Sequence, residues 1–289
     1  MRIYTYNIPI STPLLTITNR QGLIFQSEAG YGEAAPLPGW SKESVDDLIA
    51  SIHNKASYPS FDFGLRCAEL PFPSSFPRIP LCALVTSLSE AETALNSGFK
   101  TLKIKIKNHS VREALDFIAH VQLPCIRLRI DVNRRWSFEK AQLFFNQLNP
   151  TGIDYIEEPT HDLHKLHKLS NLPLALDETL REPESNWIHL PNLHALVLKP
   201  TLLGHRLDYL IQLGQKQGKK LIFSSSFESA IALLHIAHLH ARFSLQTAVG
   251  LDTHRFFHGN FFPMPIKNGM LCDHPLPPLD RTWLSDYSP

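Results

Sequence analysis

The sequence predicts an α/β fold: a (β/α) barrel of the modified TIM type, with about 7–8 strands and an N-terminal α+β capping domain that the C-terminal tail completes. Three observations predict it. Apolar runs typical of buried strands alternate with helical stretches from Ile79 onward. Charged residues follow these runs at intervals of roughly 20 to 26 residues, about the length of one βα unit. A proline-rich bridge, Pro71–Pro80, separates this region from a different N-terminal pattern.

Residues 1–76 are predicted to form the small α+β capping domain. The stretch Gly30–Gly39, rich in glycine and proline, is predicted to be a loop, and a helix is expected to open at Ser41 with acidic residues in its first turn. Three short apolar runs predict strands at Ile3–Ile8, Leu14–Thr18 and Leu23–Gln26.

Residues 77–260 are predicted to form the barrel, and residues 261–289, which are rich in proline, to pack back on the cap. Eight apolar runs predict barrel strands at Leu81–Val85, Thr101–Ile106, Ile126–Val132, Tyr155–Glu157, Leu174–Asp177, Ala195–Lys199, Lys220–Ser224 and Thr247–Leu251. Helical stretches between them are Glu90–Ser97, Ser110–His120, Phe138–Asn149, Leu203–Gly218 and Phe227–Ala241. The eighth helix is not visible in the pattern.

Composition limits the classes of partner. A formal charge of +1 over 289 residues indicates no nucleic-acid-binding surface and no anionic-membrane surface. Neither a signal peptide nor a membrane span is indicated, and the four cysteines lack CxxC spacing, so we expect a reducing, cytoplasmic location. The expected partner is a small molecule, and no obligate protein partner is inferred.

Five charged residues end successive strands of the predicted barrel. Lys105 ends the second strand and Lys199 the sixth, and between them the third, fourth and fifth strands end at Asp131, Glu157 and Asp177. The carboxyl ends of barrel strands share one face, where barrel enzymes carry their active sites. The second and sixth of eight strands are opposed, so we expect two lysines to face each other across an arc of three acids.

Three neighbouring carboxylates repel one another unless a cation lies between them. Oxygen ligands without cysteine or histidine favour Mg²⁺, with Mn²⁺ as a substitute, over Zn²⁺. An isolated aspartate after a strand, or the pair Glu157–Glu158, is more often a structural or solvated residue, but acids at three consecutive strand ends argue for a metal site.

Lys103, Lys105 and Lys107 alternate with Ile104 and Ile106, so one strand face is apolar and the other carries three amines. Alone, this pattern is more typical of a solvated face. In a barrel the apolar face meets the helices, which turns the lysines toward the lumen and mouth. Crowded like charges disfavour protonation, so one amine is expected to have a lowered pKa and to serve as a general base.

These residues resemble the enolase superfamily and its muconate-lactonising-like subgroup, whose members use a lysine or histidine base with Mg²⁺. The chain is also similar to the o-succinylbenzoate synthase family of that superfamily, from Gly32 to Thr253. The motifs that carry these resemblances are Lys103–Lys105, Asp131–Asn133, Ile156–Pro159, Lys199–Thr201, Gly32–Ser44, Leu128–Trp136, Ala175–Pro183, Leu196–Gly204, Ser224–Ser229 and Gly250–Thr253.

The resemblance implies roles for particular residues. Asp131, Glu157 and Asp177 would bind the metal, with Glu158 as a structural neighbour. Lys105 would remove the proton α to a substrate carboxylate and then protonate the departing hydroxyl. Lys199 would stabilise the enediolate anion from the other face. The implied substrate is a small-molecule carboxylate, and the implied substrate-binding residues are Lys103, Arg129, Asn133, Ser224, Ser225 and Gly250.

Two points leave alternatives open. Lys107 stands where the superfamily commonly has glycine, and the compact loop around Pro13–Gly22 lies in the part of the cap that helps to set specificity. A dipeptide epimerase or N-acylamino-acid racemase would also suit two opposed lysines. A non-catalytic barrel acting as a binding protein is a further alternative, against which the intact set of five residues argues.

Overall fold

The structure is a computed structural model, which describes residues 1–169, 172–182 and 186–287. Its strands are β1 Arg2–Pro9, β2 Asn19–Gln26, β3 Tyr31–Ala34, β4 Ser75–Phe76, β5 Ile79–Pro80, β6 Cys82–Val85, β7 Thr101–Lys105, β8 Arg127–Asp131, β9 Ile153–Glu157, β10 Leu174–Leu176, β11 Leu193–Leu198, β12 Lys220–Phe223, β13 Ile266–Lys267, β14 Met270–Leu271, β15 His274–Pro275 and β16 Leu284–Asp286. Its α-helices are α1 Val45–Asn54, α2 Pro59–Glu69, α3 Leu88–Asn96, α4 Val111–Val121, α5 Phe138–Gln147, α6 Pro200–Leu203, α7 Arg206–Lys216 and α8 Ala230–Arg242.

The barrel is a parallel sheet in the order β12-β11-β10-β9-β8-β7-β6. The eighth run, Thr247–Leu251, forms no laddered strand in the described structure. It closes the ring through two isolated parallel bridges, Leu81 to Val249 and Ser224 to Gly250. We call this closure the seam. The predicted fold class is therefore confirmed, with seven laddered strands in the described ranges and bridges at the eighth position.

Alternating strand residues fill two layers of the barrel. Ile104, Ile130 and Ile156 are register neighbours on β7, β8 and β9, are fully buried, and belong to the large core cluster that includes α4 and α5 side chains. A separate cluster of Tyr155, Ala175, Ala195, Val197 and Ile222 fills the inside of the sheet. Because successive side chains point to opposite faces of a strand, the lysines that alternate with Ile104 point to the inside.

The cap consists of the antiparallel sheet β16-β1-β2-β3 with α1 and α2. Helix α1 starts from Ser44, which forms a capping box with Asp47. Strand β3 and helix α2 approach closely, because a Cβ on Gly32 would stand 1.9 Å from the Gly64 carbonyl oxygen. The C-terminal segment reaches both regions: β14 pairs with β5, β15 with β4, and β16 with β1.

Several local predictions for the cap were wrong. Leu14–Thr18 is not a strand, β3 lies inside the predicted loop Gly30–Gly39, and the first helix is capped by Ser44 because the Ser41 hydroxyl instead accepts a hydrogen bond from the Leu37 amide. Helix α2, which begins with a proline at its first turn, was not predicted. Pro183 and the last two residues of the tail lie outside the described residues. Within the described ranges, no helix is long and apolar enough to cross a membrane.

Candidate active site

The five charged residues lie together at the carboxyl ends of consecutive strands. Lys105, Asp131 and Glu157 are the last residues of β7, β8 and β9, and the register pairs Lys105 with Asp131 and Asp131 with Glu157. Asp177 directly follows β10 and Lys199 directly follows β11. The carboxylates are almost wholly buried, with residue exposures of 0% for Asp131 and Glu157 and 2% for Asp177.

The lysine amines bind the carboxylates directly. Lys105 Nζ lies 2.5 Å from Asp131 Oδ2 and donates to Asn133 Oδ1 at 3.0 Å. Lys103 Nζ bridges Asp131 Oδ2 at 2.8 Å and Glu157 at 2.7 Å. Lys199 Nζ forms an ion pair with Asp177. Each buried carboxylate thus has an ammonium counter-charge.

The environments of the lysines push their pKa values in different directions. Burial lowers the pKa of Lys105, assisted by the charges of Lys103 and Lys199 and opposed by Asp131. Burial also disfavours the charged form of Lys199, but the Asp177 carboxylate outweighs it and raises the pKa of Lys199. The Lys105 amine therefore gives up its proton more readily than the Lys199 amine does.

The donor set suits a hard divalent cation. Burial raises the pKa of Glu157, and the carboxylates of Asp131 and Asp177 raise it further, so the three acids are close enough to repel one another. As the side chains lie, no group of three acidic, imidazole or thiol side chains in the described ranges is close enough to hold a metal ion. Binding a cation therefore requires the ammonium groups to give up their carboxylate contacts.

Glu158 supports this rim from outside it. The residue is fully buried, and its carboxylate accepts hydrogen bonds from the amides of Asp177 and Thr179, both at 2.9 Å, and from Arg134 Nε at 2.9 Å. It thereby fixes the backbone at Asp177. Burial, with the nearby Glu178 carboxylate, raises the pKa of Glu158 to about 7.

A cavity, which we call the inner cavity, opens at this rim. Lys105 and Lys199 line it together. Its walls combine apolar side chains from the cap and from the loop after β12 with polar groups at the seam. The apolar wall includes Leu14, Leu15, Leu37, Trp40 and Phe227, and the seam contributes Ser224, Ser225, Gly250 and Thr253.

The residues suggested as substrate ligands occupy different settings. Asn133, Ser224, Ser225 and Gly250 line the inner cavity, where the Ser225 hydroxyl donates to the Gly250 carbonyl at 2.9 Å. A Cβ on Gly250 would stand 2.6 Å from Ser224 Oγ, so a larger residue at that position would require Ser224 to shift.

Lys103 and Arg129 also line the cavity, but their polar groups are occupied. The Lys103 amine is held by two carboxylates. The Arg129 guanidinium donates to Asp154 Oδ2 at 2.9 Å and to the Ala248 carbonyl at 2.8 Å. Their roles as substrate ligands remain predictions.

Sequence reasoning assigned no individual role to Trp40, although it placed the loop around Pro13–Gly22, with Leu14 and Leu15, in the part of the cap that helps to set specificity. Lys199 Nζ lies 5.5 Å from the centre of the Trp40 ring, within range of a cation–π interaction. Arg181 Nη1 donates to the Trp40 carbonyl at 2.9 Å. Trp40 belongs to the motif Gly32–Ser44, so its signal was present in the sequence, but only the fold brings it to Lys199.

Comparison with known proteins places this geometry in a family. The enolase C-terminal domain-like family matches residues 87–273. The chain belongs to the enolase superfamily. It is 31% identical to the o-succinylbenzoate synthase of Haemophilus influenzae, an alignment that covers 87% of this chain and 88% of that protein.

Solved structures of the enolase superfamily share the fold. The o-succinylbenzoate synthase of Thermosynechococcus elongatus, solved with Mg in its active site, is 26% identical, with a TM-score of 0.73 over 90% of this chain and 95% of that chain. The L-Ala-D/L-Glu epimerase of Bacillus subtilis superposes with a TM-score of 0.78 over 97% of this chain and 99% of that chain, but at 18% identity this likeness concerns the fold alone.

Proposed function

We propose that the protein is an o-succinylbenzoate synthase, a hydro-lyase that dehydrates 2-succinyl-6-hydroxy-2,4-cyclohexadiene-1-carboxylate to 2-succinylbenzoate in menaquinone biosynthesis. The observation that carries the proposal is the placement of Lys105 and Lys199 in one cavity, on either side of three buried carboxylates. The identity of 31% to a synthase over most of the chain supports the choice of reaction. The unpaired thiols of all four cysteines favour a cytoplasmic location.

Lys105 is the proposed base. Its neutral amine takes the proton from the carbon α to the substrate carboxylate and becomes an ammonium. The same group then gives that proton to the departing hydroxyl, so that a C–H and a C–O bond break, a ring double bond forms and water leaves. Asn133 Oδ1 accepts a hydrogen bond from the Lys105 amine at 3.0 Å and so orients it.

Lys199 is the proposed electrostatic partner. Its side chain is held between the Asp177 carboxylate and the face of Trp40, which keeps a positive charge on the side of the cavity opposite Lys105. Negative charge that develops on the substrate as the proton leaves is stabilised by this ammonium. The interaction strengthens toward the transition state and so accelerates the reaction.

Asp131, Glu157 and Asp177 would hold Mg²⁺, and Mn²⁺ accepts the same oxygen ligands. When bound, the metal ion supplies Lewis-acid stabilisation of the substrate carboxylate. Glu158 keeps the Asp177 backbone in place for that task through its two amide hydrogen bonds. The seam residues Ser224, Ser225 and Gly250 are the proposed neighbours of the succinyl arm.

A second candidate is racemisation or epimerisation of a dipeptide or an N-acyl amino acid. It is favoured by the same pair of opposed lysines, because one amine can remove a proton while the other returns one to the opposite face. Wall residues and seam residues, not the lysines, distinguish the two reactions.

The deciding experiment incubates the purified protein and Mg²⁺ with the cyclohexadiene substrate and follows the aromatic product by absorbance. Dipeptides and N-acyl amino acids are tested in parallel by exchange of the α-proton in deuterated water. Formation of 2-succinylbenzoate supports the proposal. Absence of that product together with turnover of a dipeptide would establish the second candidate instead.

A further inference from the structure

Asn133 lies in a turn directly after β8, beside the base. The backbones of Asn133 and Arg134 are both left-handed, with φ of 49° and 59°. Asparagine tolerates this conformation better than most residues do. The Asn133 amide donates to Asp131 Oδ1 at 2.9 Å, and the Arg134 amide donates to the Glu158 carbonyl at 2.7 Å. These bonds fix the backbone of the turn, but they do not decide which way the side-chain amide of Asn133 faces.

The side-chain amide of Asn133 has two ends with opposite hydrogen-bonding roles. Its Oδ1 accepts from the Lys105 amine at 3.0 Å, and its Nδ2 donates to Glu178 Oε1 at 3.1 Å. Turned by 180°, the amide would present its NH₂ group to Lys105 and its oxygen to the carboxylate. That NH₂ group would donate to the lone pair of a neutral Lys105 amine, which is the pair of electrons that must take the substrate proton. Glu178 therefore selects the orientation that leaves this lone pair free.

Glu178 is engaged by Asn133 and by little else. It is 9% exposed and lies at the start of the 3-10 turn Glu178–Arg181, after β10. Within the described ranges its carboxylate forms no ion pair and accepts no other hydrogen bond, and its Oε2 is buried without a partner. A buried carboxylate with one neutral donor destabilises a fold, because the donor does not replace the lost hydration. The position of Glu178 is therefore explained by a task at the rim and not by stability.

The contact with Asn133 does not compete with the proposed metal site. Among the described residues, the Lys105 amine has two hydrogen-bond partners, Asp131 Oδ2 and Asn133 Oδ1. A cation on Asp131 would take the first partner away. The Asn133 carbonyl would then be left to orient the amine, so its own orientation matters most in the loaded protein.

We propose that Glu178 is a positioning residue for the base. It holds the Asn133 amide so that Oδ1 accepts an N–H of Lys105 while the lone pair of the amine stays free for the substrate. This inference rests on the proposed function, in which Lys105 removes the α-proton. Glu178 contributes no atom to the reaction and acts through Asn133. Its loss should therefore slow proton transfer and leave substrate binding nearly unchanged.

Two variants separate the hydrogen bond of Glu178 from its charge. Glu178→Met keeps the length of the side chain but removes the acceptor, whereas Glu178→Gln is neutral and keeps a carbonyl acceptor. At saturating Mg²⁺, Glu178→Met should lower kcat for dehydration about 10- to 100-fold and leave KM within about threefold. Glu178→Gln should keep kcat within about threefold of the unaltered protein. Equal losses in the two variants would overturn the inference, because the charge and not the orientation would then matter.

A double-mutant cycle tests whether Glu178 acts through Asn133. Asn133→Gly removes the amide, and glycine accepts the left-handed backbone. The double variant Asn133→Gly/Glu178→Met should match the kcat of Asn133→Gly alone within about threefold. Losses that multiply would contradict the inference. Glu182→Gln is the matched control, because it removes an exposed carboxylate that pairs with Arg134, and it should change kcat and KM by less than about twofold.

The side-chain amide of Asn133 also gives a readout that does not depend on turnover. In NMR spectra of ¹⁵N-labelled protein, its two protons are identified by their loss in Asn133→Gly. The proton that is bound to the Glu178 oxygen should resonate downfield of the other. This separation should persist in Glu178→Gln and shrink in Glu178→Met, and an unchanged separation in Glu178→Met would overturn the inference.

The two proposals fail separately. If the unaltered protein does not dehydrate the cyclohexadiene, the proposed function fails, while the amide spectra still decide whether Glu178 holds Asn133. If the unaltered protein is active and Glu178→Met keeps a normal kcat, the positioning role of Glu178 fails alone.

Discussion

Lys105 and Lys199 carry the same functional group, but their neighbours give them different chemistry. Lys105 is flanked by a second buried lysine and its pKa is lowered chiefly by burial, whereas Lys199 is held as an ammonium by Asp177. A base must be neutral to accept a proton, and an electrostatic stabiliser must be charged. The proposed roles therefore rest on the surroundings of each amine: burial and neighbouring lysines at Lys105, and the Asp177 carboxylate at Lys199.

The variant Lys105→Ala removes the proposed base and is expected to lower kcat about 10³-fold or more, because no neighbouring group replaces a positioned general base. Steady-state dehydration assays measure the effect. Mg²⁺ binding, followed by calorimetry, should persist because the three carboxylates remain. The control is Lys100→Ala, an exposed lysine just before the other end of the same strand, which should keep normal turnover. Near-normal turnover by Lys105→Ala would contradict the assignment.

The proposed metal-binding role of the three acids can be tested at Asp177. A carboxylate at the opposite end of the barrel serves as the control. Asp177→Asn is expected to weaken Mg²⁺ binding about tenfold or more, because an anionic ligand becomes a neutral amide. Asp154→Asn alters a carboxylate near the start of β9 that is bound to Arg129 and Lys220. Its Mg²⁺ affinity should stay unchanged. Calorimetric titration of both variants distinguishes the sites, and equal affinities would exclude Asp177 as a ligand.

At the scale of the elements, the buried side chain of Arg20 on β2 joins a barrel loop to a segment of the cap. It is 1% exposed and donates to three carbonyls: Phe227 at 2.8 Å, Pro36 at 2.7 Å and Ala35 at 3.0 Å. Phe227 has a left-handed backbone, with φ of 61°, and its ring lines the inner cavity. Arg20 thus fixes a strained barrel loop against the cap segment that leads to Trp40.

Arg20→Met should lower the free energy of unfolding by about 3 kcal/mol, because it leaves three buried carbonyls without their donor. Denaturant titration at neutral pH measures the loss. The exposed Arg2→Met on the neighbouring strand β1 should change stability by less than about 0.5 kcal/mol. A loss of similar size in both variants would show that the three hydrogen bonds of Arg20 contribute nothing specific.

The barrel elements were predictable because a buried parallel strand requires a continuous apolar run, and the charged residues that end five runs must then share one rim. The same signal failed at Leu14–Thr18. Leu14, Leu15 and Ile17 are apolar because they pack with Leu37, Phe227 and Phe256 beside the inner cavity. An apolar run that forms a cavity wall has the same composition as a strand.

The pairing of each lysine with a particular carboxylate was not predictable from the strand pattern, because it depends on side-chain conformations around the rim. The contact between Trp40 and Lys199 was not predictable for a related reason. Its distance from Lys199 along the chain is large, and only the docking of the cap on the barrel brings the two within 5.5 Å. Strand periodicity fixes which residues reach a rim but not which partner each of them meets.

At the scale of the whole molecule, cap and barrel are joined by buried polar contacts. Glu33 of β3 is fully buried and accepts hydrogen bonds from the amide of Ser229 at 2.9 Å and of Ala232 at 3.1 Å, at the start of α8. Farther along α8, His235 Nε2 lies 2.7 Å from the Tyr31 carbonyl. Cap docking thus depends on groups whose charge varies with pH.

The stability of the molecule should fall in mild acid, in part through His235. Burial lowers the pKa of His235 to about 4, below the value of about 6.5 in an unfolded chain. The unfolded chain therefore takes up a proton first, so this stabilisation is complete above pH 6.5 and is lost as the pH falls toward 4. We expect a loss of roughly 1–2 kcal/mol from this group between pH 7 and pH 4.5.

Denaturant titrations at both pH values measure the effect. His235→Gln should show a smaller difference in stability between pH 7 and pH 4.5 than the unaltered protein. The control His167→Gln changes an exposed histidine and should keep the original difference. If His235→Gln keeps the full acid sensitivity, other groups are responsible for it.

The seam also determines where the sequence of this barrel can change without disturbing the strands. Every other barrel junction is a hydrogen-bonded ladder, and a residue added there shifts the register of the strand unless a bulge absorbs it, as at the register shifts of β8–β9 and β10–β11. At Ser224–Gly250 and Leu81–Val249 only single bridges must be kept. Insertions and substitutions beside these bridges can reshape the wall of the inner cavity while the five charged residues of the rim stay in place. Selection for a new substrate in a laboratory evolution experiment should therefore collect changes at residues 224–229 and 250–256.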